Sequence, residues 1–129
     1  MIKEDYCSFE VAKLLKEKGF DETCYACYEY FSSSVTMYSG WPFEYKGEVV
    51  NNSNDRIKCP TQSLAMKWLR EEKRTSIIIE FDLTKRGYCP YVHQLDYDMD
   101  WVVKWRVNTP MKYEEAVEAA LKYSLKNLI

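Results

Sequence analysis

The sequence predicts an α+β fold, with an antiparallel sheet of about four or five strands and three helices packed mainly on one face. Three observations carry that reading. From Trp101 to Val107 every second residue is large and apolar (Trp101, Val103, Trp105, Val107), the period of a half-buried strand. Upstream, Ile77, Ile79, Phe81 and Leu83 alternate with Ser76, Ile78, Glu80 and Asp82 in the same way. Near the C-terminus, Val117, Ala120, Leu121, Leu125 and Leu128 recur at helical spacing.

The first helix follows Ser8, an N-cap residue, with Glu10 in the positive first turn. Val11, Ala12, Leu14 and Leu15 form its apolar stripe, and Gly19 stands where a left-handed residue ends a helix, with Phe20 folding back on Leu15. Cys24 to Met37 is aromatic and β-branched without a helical stripe, so it reads as extended chain. Ser39-Gly40-Trp41-Pro42 breaks it, Phe43 to Val50 reads as a short hairpin around Lys46-Gly47, and Asn51 to Asp55 is polar turn chemistry.

Thr61 caps a second helix whose buried face is Leu64, Ala65, Trp68 and Leu69. The Ile77 strand follows. A turn at Thr84-Lys85-Arg86-Gly87 leads to a strand over Tyr88 to Asp96, which Pro90 assigns to an edge or a bulge. The acidic turn Asp96 to Asp100 leads to the strand over Trp101 to Asn108. Short links make these three strands an antiparallel meander. The last helix starts between Thr109 and Tyr113, with Glu114, Glu115 and Glu118 early and Lys122 and Lys126 late, the favourable order for its dipole. The predicted core is Leu14, Leu15, Trp68, Leu69, Ile77, Ile79, Phe81, Val103, Trp105, Val117, Leu121 and Leu125.

Length and the absence of a linker or repeat predict one α+β domain over residues 1–129. The formal charge of −2 lacks the basic excess of a general duplex-DNA binder. Met1 to Asp5 shows no signal-peptide core, and no apolar run reaches membrane-spanning length, so a cytoplasmic protein without a membrane partner is expected. Five irregularly spaced cysteines are then expected to be reduced thiols.

Three segments together carry a resemblance. They are the run from Ser8 to Asp21, the run from Pro60 to Glu71 leading into the isoleucine strand, and the run from Tyr113 to Leu121. With them about half the chain resembles a group of small uncharacterised proteins of Bacteroides-type gut bacteria, often carried in prophage or other mobile regions. The resemblance implies a cytoplasmic, phage-associated setting and no functional residue, because its motifs are caps, stripes and a strand.

Chemistry-bearing patterns are few. Cys24-Tyr25-Ala26-Cys27 is a C-x-x-C, but zinc sites normally use two such pairs, and Cys7, Cys59 and Cys89 each stand alone. In a strand, residues three apart face opposite sides, which separates Cys24 from Cys27. His93, the sole histidine, reads as a partly buried side chain beside Cys89, Tyr91 and Leu95. Asp96, Asp98 and Asp100 imitate the start of a calcium loop. The imitation fails because Trp101 stands where glycine is required and Val107 where glutamate is required. No catalytic, metal or cofactor residue is assigned, no cofactor is expected, and an enzyme is disfavoured.

The leading expectation is a non-enzymatic interaction or accessory protein, phage-associated, that binds a protein partner or self-associates. Its expected surface comprises the loop residue Trp41, Lys85 and Arg86 of the turn, and Lys104 and Arg106 on the outer sheet face. One alternative is single-stranded nucleic-acid binding through that outer face, with tyrosines as stacking platforms. Another is a small thiol- or zinc-dependent enzyme, for which Cys24, Cys27 and His93 would have to come together in space.

Overall fold

A computed structural model describes residues 4–31, 34–39 and 56–129. Over these residues the fold is α+β, with three helices and two antiparallel sheets. The chain divides into two compact units, Met1–Thr61 and Gln62–Ile129. The expected single sheet is therefore corrected to two, of three strands each among the described residues.

In the first unit, α1 (Phe9–Glu17) begins at Ser8, whose Oγ accepts the Val11 N–H at 3.2 Å. Its end matches the sequence expectation. Gly19 has φ +89°, its N–H donates to the Lys16 carbonyl, and Phe20 N–H donates to the Leu15 carbonyl at 3.0 Å. The extended segment becomes β1 (Ala26–Phe31) and β2 (Ser34–Ser39), paired with Phe31 opposite Ser34. The short β3 (Arg56–Lys58) lies on the other side of β1. Val11, Ala12, Leu15, Phe20, Ala26 and Ile57 are buried. Tyr28 ties the sheet to the chain before α1: its hydroxyl donates to the Cys7 carbonyl at 2.6 Å and its ring meets Phe9 edge-on. The hairpin expected at Lys46-Gly47 and the turn at Asn51 to Asp55 lie outside the described residues.

In the second unit, α2 (Gln62–Glu72) leads into the meander β4 (Thr75–Asp82), β5 (Gly87–Leu95) and β6 (Trp101–Arg106), and α3 (Tyr113–Asn127) closes the chain. The order β4-β5-β6 makes β5 the central strand, which corrects the edge placement of Pro90. Proline fits there because β6 ends at Arg106, opposite Tyr91. Past that point the Pro90 carbonyl accepts Val107 N–H at 3.0 Å and Tyr88 exchanges main-chain hydrogen bonds with Met111, so the pairing goes on without a Pro90 N–H.

α3 lies across one face of this sheet, the inner face. Tyr88 meets Tyr113 edge-on, Trp105 stacks on Tyr123, and Gln94 Nε2 donates to the Leu128 carbonyl at 2.9 Å. α2 runs beside α3, joined by the buried Gln62, whose Nε2 donates to the Glu114 carbonyl at 3.0 Å. Val92, Ala116, Val117, Ala120, Leu121 and Leu125 are fully buried between helix and sheet.

The register departs from strict alternation at one place. Val92 faces Trp105 and His93 faces Val103, so Lys104 is an extra residue in β6. Such a bulge reverses the facing of every residue beyond it. Trp105 keeps its inner position, whereas Trp101 and Val103 turn to the outer face and stand 48% and 47% exposed. Phe81, at the far end of β4, is also 47% exposed. Val103 and Phe81 are thus corrected from core to surface.

Candidate functional site

The outer face of the β4-β5-β6 sheet carries a continuous row of rings. His93 lies 5.1 Å from the Tyr91 ring and 6.4 Å from the Trp101 indole, centroid to centroid. The Arg106 guanidinium sits over Tyr91, its carbon 4.3 Å from the ring centroid, and a nitrogen lies 3.7 Å from Glu80. Val103, directly opposite His93, extends the row at the sheet edge. The row exists because β5 alternates Cys89, Tyr91, His93 and Leu95 outward and the bulge delivers Trp101 and Val103 beside them. Strict alternation conceals it.

The basic residues of the expected surface are separated. Arg106 stays on it. Lys104, at the bulge, instead lines a depression of about 500 Å³ with Lys73, Arg74, Gln94 and Met99. Lys85 and Arg86 lie at the opposite end of the sheet, in the β4–β5 turn. There they line a second depression, of about 340 Å³, with Phe81, Tyr88, Pro110 and Lys112. Trp41 lies outside the described residues.

The turn holding Lys85 and Arg86 is built by Asp82. Its Oδ1 accepts the Thr84 hydroxyl at 2.7 Å and the N–H groups of Thr84 and Lys85 at 3.0 Å. The Thr84 hydroxyl first, and these backbone donors after it, hold the Asp82 carboxyl below the usual aspartate range. Arg86 takes a left-handed φ of 55°. Gly87 follows because a Cβ there would stand 2.5 Å from Pro110 Cβ.

Four of the thiols belong to the first unit, and Cys89 lies on the outer face of β5. Cys7, Cys24, Cys27, Cys59 and Cys89 are all buried, and none is in a disulfide. Cys59 Sγ donates to the Cys7 carbonyl and Cys24 Sγ to the Glu22 carbonyl. Burial pushes the Cys27 thiol up, outweighing the lowering by Arg56, and Glu29 adds to the rise. A raised pKa withholds the thiolate that nucleophilic or redox work requires. Among the described residues no group of three or more His, Cys, Asp or Glu is placed to hold a metal ion. Nor is any described helix long and apolar enough to cross a membrane. Comparison with family models, curated proteins and solved structures gave no match.

Proposed function

We propose that this chain is a non-enzymatic interaction or accessory protein that engages a protein partner through the outer face of the β4-β5-β6 sheet. The observation that carries the reading is the row Tyr91, His93, Trp101 and Val103, its first two members half-buried and its last two exposed, capped at one end by Arg106. Aromatic residues and arginine are the side chains enriched at protein interfaces, and a contiguous apolar patch costs less when a partner covers it. The phage-associated setting implied by the resemblance belongs to the same proposal.

Site-specific photo-crosslinking in cells tests it. A benzophenone side chain at Val103 is expected to form protein adducts, and one at the exposed Glu71 of α2 is not. Equal labelling at both positions, or none at either, contradicts the reading.

One observation favours a second reading, single-stranded nucleic-acid binding at the β4–β5 turn instead of on the outer face. Lys85, Arg86 and Lys112 share a depression with the rings of Phe81 and Tyr88, and cations beside stacking platforms suit phosphate and base. Salt-sensitive binding of an oligonucleotide, lost in Lys85→Glu/Arg86→Glu, supports it. Binding that survives this double variant, or no binding at all, excludes it.

A further inference from the structure

Among the described residues β6 is an edge strand, hydrogen-bonded to β5 alone. Its first three residues, Trp101, Val102 and Val103, are apolar and at least 38% exposed. An exposed apolar edge is a template for another strand. Its main-chain phase can be read from the turn before it. Asp96 N–H donates to the Asp100 carbonyl at 2.8 Å, so the main chain of Asp100 faces β5. By alternation Val102 also faces β5, opposite Gln94, and the N–H and C=O groups of Trp101 and Val103 point outward along the edge.

We propose that β6 pairs antiparallel with β6 of a second copy of this chain, across a twofold axis at Val102. The proposal rests on the interaction reading above and names its partner. In this register Trp101 lies opposite the partner's Val103, and the outward groups of both residues form about four main-chain hydrogen bonds across the axis. Trp101 and Val103 both occupy the outer face, so the pairing joins the two aromatic rows into one surface.

The neighbouring registers do not fit. A one-residue slip sets outward groups against inward ones. Centring on Val103 opposes Trp101 to Trp105, which stand on different faces because of the bulge. Centring on Trp101 opposes Val103 to Met99, which is left-handed at φ 65° and not in a strand.

Charge selects the same register. Asp100 falls opposite the partner's Lys104, a pair of opposite sign at each end of the paired segment. The twofold axis repeats this pairing. The bulge at Lys104 ends the pairing, and the twofold axis closes the assembly through this edge as a dimer.

The test is the mass of the full chain in solution, by sedimentation equilibrium against concentration, with a charge-reversal cycle. The chain of 15.4 kDa is expected to dimerise. Lys104→Asp or Asp100→Lys alone sets like charges opposite each other and is expected to raise the dimer dissociation constant about tenfold or more. The double variant Asp100→Lys/Lys104→Asp is expected to restore it to within about threefold of the parent. Val102→Cys is expected to cross-link the dimer on oxidation, and Lys85→Cys is not.

A monomer at every concentration, or a dimer indifferent to the reversals and not cross-linked through Val102→Cys, overturns the proposal. A monomer whose Val103 position still cross-links to a different protein overturns the self-pairing and leaves the interaction reading intact. A dimer that responds to the cycle supports both.

Discussion

The indole of Trp105 lies flat against the phenol of Tyr123, ring centroids 4.8 Å apart and planes 11° from parallel. Four residues earlier on the same strand, Trp101 stands beside His93 on the other side of the sheet. The extra residue between Val103 and Trp105 accounts for both positions. It lets one strand anchor α3 and present an aromatic surface at once.

The stacked pair is expected to contribute to stability as a pair. Trp105 is half-buried, so Trp105→Ala is expected to cost about 2–3 kcal/mol, below the cost of deleting a fully buried tryptophan. Tyr123→Ala is expected to cost less, and the double variant to reveal a coupling of about 0.5–1.5 kcal/mol. Urea unfolding of the four chains measures it. A coupling near zero means that the rings do not stack in solution.

Asp82 makes the β4–β5 turn sensitive to acid. Its carboxyl is held below the aspartate value of 3.8 by Thr84 and Lys85 donors. A group whose folded pKa is depressed contributes stability above its unfolded pKa and loses it as pH falls through the folded one. The turn is therefore expected to loosen only below that ordinary value. Carboxyl-carbon NMR should show Asp82 titrating below the ordinary aspartate value of 3.8, and Thr84→Ala should move its midpoint upward. An unshifted midpoint in Thr84→Ala contradicts the assigned cause.

Lys58 is 2% exposed and reaches out to Asp21, its Nζ 3.0 Å from Oδ1 and 3.1 Å from the Glu22 carbonyl. Removing the acid leaves a buried ammonium with less compensation. Asp21→Ala is expected to destabilise by about 1–2 kcal/mol. Lys58→Met replaces the buried charge with an apolar chain of similar length and is expected to be neutral or stabilising. Equal losses from both substitutions, read as melting temperatures, would contradict this asymmetry.

Ser124 is fully buried in α3, and its Oγ has no hydrogen-bond partner among the described residues. Ser124→Ala removes an unsatisfied hydroxyl and improves helix propensity. A gain of about 1 kcal/mol is expected on chemical denaturation. A loss would show that the hydroxyl is satisfied in solution.

Much of the fold is legible in local chemistry. Ser8 and Gly19 mark the ends of α1, the apolar stripes mark α2 and α3, and the alternation from Ile77 marks β4. These signals act within one turn or one strand, where sequence spacing equals spatial spacing. The outer face was hidden for a physical reason. A bulge has no residue signature at Lys104, and one unmarked residue reverses the facing of Trp101 and Val103. The grouping of Lys85 and Arg86 with Phe81 and Tyr88 depends on the approach of Pro110 to Gly87, a contact between residues distant in sequence. The division into two sheets has the same origin, since alternation identifies strands but does not say which ones pair.

The facing of Trp101 is the point on which the interaction surface stands, and proton NMR reports it directly. Nuclear Overhauser contacts are expected from the Trp101 indole to the His93 imidazole, together with contacts from Trp105 to Tyr123. Contacts from Trp101 to the inner-face residue Gln94 or to α3, with none to His93, would contradict it.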